Sequence, residues 1–286
     1  MAEAFILSCR AYSESDLIVE FFMENGERCQ GFARAAKNSK RRFPHQFRST
    51  GLYQVSFSKR RDSRSLSPVA SCELLRYYEG IESGSFSTLL RWTFLMEWLR
   101  EEAVEPIGFE DLKLFAEKMS GGLSQEALLE FCRFSIDQQG LRPNFLECSH
   151  CHKAMDESKG VVFSLARFGL CHPECGAGLR LSSNAVAWWS EAFEPSGPLS
   201  AEDASALEKI LPSYLQSGLG RELKSLRLLQ QELSESSSGP SGWTTSSGRL
   251  PSPLEQVLRV EERAPSLPPF PPSLGLAGED LPKPIG

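Results

Sequence analysis

The sequence predicts an α+β protein: a five-stranded β-barrel first, then a helical domain that encloses a four-cysteine insertion. Three observations lead there. Up to about residue 75, β-forming residues fall in short runs separated by turn formers. Beyond Gly84 the apolar residues repeat with a period of about 3.6. Four of the eight cysteines cluster between positions 148 and 175, and the other four are scattered.

The strands are expected at Ala4 to Ser8, Leu17 to Met23, Arg28 to Arg34, Leu52 to Phe57 and roughly Ser67 to Leu74. Glu24-Asn25-Gly26 reads as a hairpin turn, and Ser49-Thr50-Gly51 breaks the chain before the fourth strand. In that strand Tyr53, Val55 and Phe57 alternate with Gln54 and Ser56, giving one apolar and one wet face. Five strands without an intervening helical pattern suggest a closed or nearly closed barrel.

Helical stripes follow. Trp92, Leu95, Met96 and Leu99 share one face, as do Leu112, Phe115, Ala116 and Met119, and then Leu128, Phe131, Cys132 and Ile136. Later helices are expected at Asn184 to Phe193, Ala201 to Gln216 and Arg221 to Leu233, the second opened by Ser200 and Asp203 in capping-box spacing. From Ser234 onward 26 of 53 residues are Pro, Ser or Gly, a composition expected of a disordered tail. The domains are therefore drawn at 1–80 for the barrel, 81–233 for the helical domain with an insertion at about 145–180, and 234–286 for the tail.

No apolar run approaches the ~18 residues of a membrane span, and the N-terminal Met-Ala-Glu-Ala is not the basic start of a secretory signal. The expected location is the cytoplasm, where clustered cysteines bind metal more readily than they pair. Cys148-x2-Cys151 and Cys171-x3-Cys175, nineteen residues apart, follow the ribbon-like spacing of one structural zinc ion. Four thiolates fill a tetrahedral shell and leave no position open for catalysis. His150, His152 and His172 lie beside them; one could replace a thiolate, but adjacency alone makes them bystanders. A zinc-deaminase reading fails, because Cys148 follows Glu147 where that chemistry needs Pro, and no His-x-Glu lies upstream.

Charge is the other strong signal. Between Arg28 and Arg64 eleven Lys or Arg residues face one acid, Asp62, for a net of +10; the chain as a whole carries −6, so the remainder sums to −16. Such an island attracts a polyanion even on an acidic protein. The candidate contacts are Arg34, Lys37, Lys40, Arg41, Arg42 and Arg48 in one group and Lys59, Arg60 and Arg61 in the next. Phe32, Phe43, Phe47 and Tyr53 are interleaved with them. Cations along phosphates with aromatics under bases is how single-stranded nucleic acid is held. Phe43 and Phe47 fit a core role equally well.

The sequence also resembles the bacterial RecO family. Ala4 to Phe22 (AFILSCRAYSESDLIVEFF) is similar to that family's first two strands, and Gly26 to Phe47 (GERCQGFARAAKNSKRRFPHQF) to its glycine turn, third strand and basic loop. Cys148 to Cys175 resembles the zinc insertion of many members, and Gly220 to Leu229 (GRELKSLRLL) the C-terminal helix. The resemblance implies an OB-fold domain followed by a helical domain with a zinc finger. It implies a non-enzymatic mediator of DNA repair and recombination that binds single- and double-stranded DNA and anneals complementary strands. Such a protein helps load recombinase onto strands coated by single-stranded-DNA-binding protein. The implied partners are RecR, in some members RecF, and the acidic C-terminal tail of the single-strand-binding protein, with nucleoid association when DNA is bound. Arg34, Lys37, Lys40, Arg41 and Arg42 are the positions carried over as DNA contacts.

Two other classes compete. A nucleic-acid enzyme would need a paired acid and base or an open metal site, and the sequence offers neither. A zinc-ribbon adaptor would bind a protein partner without annealing strands.

Overall fold

The computed structural model describes residues 1–39, 41–43, 47–58, 66–101, 107–156, 160–190 and 198–237. Strands β1 (Ala2–Ala11), β2 (Leu17–Met23), β3 (Arg28–Ala33), β4 (Gly51–Phe57) and β5 (Ser67–Tyr77) close into a barrel in the order β1-β2-β3-β5-β4. All neighbours are antiparallel except β3 and β5, which run parallel. This is the OB-fold arrangement. Gly26 turns the β2–β3 hairpin with φ 83°. Closure requires Gly31 at the β3–β5 contact, because a Cβ there would stand 2.5 Å from Cγ2 of Val69. Alternation divides the strands between two cores. Ile6, Val19, Phe21, Tyr53, Val55 and Val69 fill the barrel, while Phe5, Leu7, Phe22 and Leu52 face the helices. Leu7 joins Phe5 on the outer side by alternation, and the register shift between Ile6 and Ser8 then turns Cys9 inward opposite Val19.

The helical part comprises α1 (Glu79–Ser83), α2 (Phe86–Glu101), α3 (Phe109–Ser120), α4 (Ser124–Gln138), α5 (Ser183–Ser190), α6 (Ala201–Ser217) and α7 (Lys224–Ser237). All three apolar stripes read from the sequence are buried. Helix α2 is central and covered all round, with Phe94 and Trp98 as deeply buried as Trp92 and Leu95. Phe5 ties barrel to helices through ring contacts with Trp92 and Phe109. The Ser200 hydroxyl caps α6 by accepting from the Asp203 N–H at 3.1 Å. Glu97 of α2 caps α7, accepting from the N–H groups of Lys224 and Ser225 at 3.3 and 2.9 Å.

Inside the helices lies an ion pair. Arg91 Nε meets Glu208 Oε1 at 2.6 Å, Gln125 donates to the same carboxylate at 2.6 Å, and Arg91 reaches the Ser124 hydroxyl at 2.8 Å. Between α4 and α5 a three-stranded sheet is inserted, β6 (Val161–Ser164), β7 (Gly169–Cys171) and β8 (Leu179–Leu181), in the order β7-β6-β8. The expected tail is corrected at its start, since Ser234–Ser237 complete α7; from residue 238 onward that expectation lies outside the described residues. The helix expected to Phe193 is described as far as Ser190, and 191–193 likewise lie outside the described residues. No helix among the described residues is long and apolar enough to cross a membrane.

Candidate nucleic-acid interface and metal centre

After β3 the chain turns sharply at Ala35, a non-glycine residue in the left-handed region with φ 51°. That turn is held from outside: the Ala35 N–H donates to Asp16 Oδ1 at 2.7 Å and the Lys37 N–H to the Ser15 carbonyl at 3.1 Å. The Ala35 N–H, followed by the Ser13 hydroxyl, holds the Asp16 carboxyl below the ordinary carboxylate range. Ala36 and Phe43 turn inward and join the barrel core, and the Cys72 N–H donates to the Arg42 carbonyl at 3.3 Å, fastening the loop to β5. With its apolar residues spent inward, the loop displays Arg34, Lys37, Arg41 and Arg42, all exposed. Arg42 keeps its orientation by donating to the Arg34 carbonyl at 2.6 Å and lying over the Phe43 ring.

Two further cations of the island also bind within the fold, Arg28 half-buried and Arg48 exposed. Arg28 donates to the carbonyls of Leu99 and Arg100 at 3.0 and 2.9 Å, closing the last turn of α2. Arg48 pairs with Glu82 at 2.7 Å and with the Tyr77 hydroxyl at 3.0 Å, and its N–H donates to Tyr53 Oη at 2.9 Å. Burial pushes the Tyr53 phenol up, so it stays a neutral acceptor there. Lys40, Lys59, Arg60 and Arg61 lie outside the described residues. Of the interleaved aromatics, Tyr53 and Phe43 belong to the core and Phe47 packs against it, stacking near Phe43 at 5.3 Å. Only Phe32 remains on the outer face, paired with Tyr12.

The cysteine cluster forms, and a histidine joins it. The donor atoms of Cys148, Cys151, His172 and Cys175 all lie within 4.8 Å of one another. The first knuckle is built by the Cys148 N–H donating to the Lys153 carbonyl and the His152 N–H to the Cys148 carbonyl, both at 2.9 Å, with His152 at φ 58°. The second is closed by the Cys175 N–H donating to the His172 carbonyl at 2.9 Å. His172 Nε2 donates to the Ala154 carbonyl at 3.1 Å, which turns Nδ1 inward, 3.4 Å from Cys151 Sγ and 3.7 Å from Cys175 Sγ. A ring fixed through its outer nitrogen is the usual arrangement of a metal-ligating histidine. Burial raises the Cys148 thiol, but the N–H groups of Cys151, His150 and His172 outweigh this and bring it down to about 5. Burial and then the neighbouring Cys151 and Cys148 push Cys175 up, a repulsion that a cation would remove.

Cys171, the expected third cysteine ligand, stands next to this group. It ends β7, paired opposite Val162 and buried, while the group is completed by the next residue, His172. The Cys171 thiol nevertheless lies against that of Cys148, so it borders the group. The sequence did carry the signal: His172-x2-Cys175 repeats the spacing of Cys148-x2-Cys151. Three thiolates and one imidazole form a donor set able to hold a metal ion. His150 and His152 remain outside the group.

A closed OB barrel with a displayed basic loop, joined to helices that carry a Cys3His knuckle pair able to hold a metal ion, defines the class of protein. The family described as "Recombination protein O N terminal" matches residues 1–78, the whole barrel. The chain is 30% identical over 184 residues to the DNA repair protein RecO of Syntrophobacter fumaroxidans, covering 60% of this chain and 69% of that one. It is 26% identical over 246 residues to the DNA repair protein RecO of Syntrophus aciditrophicus, covering 80% and 94%. The protein of that name from Desulfatibacillum aliphaticivorans is 26% identical over 245 residues, covering 79% and 95%. The chain belongs to the RecO family.

Proposed function

We propose that this chain is a DNA-binding recombination mediator in DNA repair, which anneals complementary strands and helps load recombinase onto single strands coated by single-strand-binding protein. The observation that carries this is the display of Arg34, Lys37, Arg41 and Arg42 on a loop braced against an OB barrel. Lys40, Lys59, Arg60 and Arg61 extend the same contact by sequence. Arg48, exposed although paired with Glu82, belongs to the same contact. The relatives' names as DNA repair proteins support the reading.

The mechanism is physical. Cations laid along the backbone release condensed counterions and lower the repulsion between two strands, so complementary strands meet at lower cost. No bond is made or broken. Cys148, Cys151, His172 and Cys175 would hold one structural zinc ion, which ties the two knuckles together. The partners we assign are RecR, in some settings RecF, and the acidic tail of the single-strand-binding protein; the site of action is the cytoplasm, at the nucleoid.

The test is a strand-annealing assay with complementary oligonucleotides, run with and without single-strand-binding protein. Annealing in both conditions is expected. Capture of a protein partner without any annealing would instead identify an adaptor.

A further inference from the structure

We infer that Tyr12 and Phe32 form a stacking platform for unpaired bases beside the basic loop, making this face of the barrel prefer single-stranded to double-stranded DNA. The inference rests on the DNA-binding reading above and adds to it the form of the substrate. Strand alternation places Phe32 on the outside, since Gly31 and Ala33 on either side of it face the barrel interior. Register aligns it with Ile18 on β2, Arg10 on β1 and Pro68 on β5, a row crossing the outer surface. Tyr12, just past β1, meets Phe32 edge-to-face, with centroids 5.6 Å apart and planes at 84°. Such a pair leaves at least one ring face unstacked, and Tyr12 is 67% exposed.

What turns two surface rings into a platform is their fixed distance from the cations. The turn that follows Tyr12 is closed by the N–H groups of Tyr12 and Ser13 donating to the Asp16 carbonyl at 3.0 and 3.4 Å. The same turn holds the basic loop, through Asp16 to Ala35, through the Ser15 carbonyl to the Lys37 N–H, and through the Ser13 carbonyl to Lys37 Nζ at 3.4 Å. Rings and cations therefore move as one piece. Phosphates can lie along Arg34 and Lys37 in either form of DNA, but only an unpaired base exposes a face to a ring. The cations supply attraction common to both forms; the rings supply the difference.

The experiment titrates the full chain with a fluorescently labelled oligothymidylate strand and, separately, with a labelled duplex, across a series of salt concentrations. Tyr12→Ala is expected to weaken single-strand binding about 5- to 100-fold. It should leave duplex affinity, the salt slope and the melting temperature unchanged. Tyr12→Phe keeps the ring and should restore binding, and Phe32→Leu, which keeps apolar volume, should lose it as Tyr12→Ala does. Unchanged single-strand affinity in Tyr12→Ala, or equal losses on strand and duplex, overturns the platform while leaving DNA binding intact. Loss of a protein partner with DNA binding preserved overturns it as well. A parent chain that binds neither form removes the DNA-binding reading itself.

Discussion

In the helical half of the molecule charge is enclosed, whereas on the loop after β3 it is displayed. Arg91 is held between α2, α4 and α6 against a Glu208 side chain with no exposure, every polar atom of that carboxylate engaged. The metal-ligand group encloses its charge in the same manner, three thiols and an imidazole turned toward one point. Arg34, Lys37, Arg41 and Arg42 have the opposite setting: Arg42 and Lys37 donate to the carbonyls of Arg34 and Ser13, and all four residues stay exposed. Enclosed charges fix structure because removing one leaves its partner stranded. Displayed charges contribute little to folding and are available to a ligand. The same residue type thus has two uses, separated by where its partner lies.

The sharpest way to break this comparison is Arg91→Met. It leaves Glu208 buried without its cation and should destabilise the fold by about 3–5 kcal/mol, read by denaturant unfolding. A loss below about 1 kcal/mol would place Arg91 with the displayed cations. Next, elemental analysis should find one zinc per purified chain, lost in His172→Ala and retained in Cys171→Ala, with the first variant melting at lower temperature. Metal retained by His172→Ala and lost by Cys171→Ala would return the fourth ligand to the cysteine.

Arg41→Glu combined with Arg42→Glu tests the displayed side. Affinity for single-stranded DNA should fall and the salt slope should shrink by about 1.4, for two phosphate contacts at roughly 0.7 each. Stability should stay within about 0.5 kcal/mol of the parent. The smallest effect is expected at Asp16, whose folded carboxyl lies below its ordinary 3.8. A depressed carboxylate contributes stability above its unfolded pKa and loses it as pH falls through the folded value. Asp16→Asn should therefore be less stable than the parent at neutral pH, and the gap should close below pH 3.8.

Much of the barrel was legible because strand alternation is a local signal: Tyr53, Val55 and Gln54 announce their faces within a few residues. The helical stripes were legible for the same reason. What was not legible depends on partners distant in the chain. Arg91 and Glu208 stand 117 residues apart, and each alone reads as a solvated charge. That Arg48 pairs with Glu82, 34 residues on, could not be read from its neighbours in the chain either. Phe43 and Tyr53 interleave with cations in sequence, yet the turn at Ala35 and the strand period send both inward. At the metal group the spacing identified the cluster, but the place of His172 in it required the folded geometry.

The barrel is joined unevenly around its circumference. Among the described residues seven pairs connect β1 to β2 and seven connect β4 to β5, but two, Gly31 with Ser67 and Phe32 with Pro68, join β3 to β5. Gly31 adds no side chain to reinforce that joint. A cylinder with one short seam has a preferred line of opening, and amide exchange should be fastest along it. The loop that carries Arg34, Lys37, Arg41 and Arg42 leaves β3 directly after Ala33, so cations follow one lip of the seam. An anionic strand held by them and lying across the seam would act as a clasp, slowing the opening that the fold itself leaves easiest.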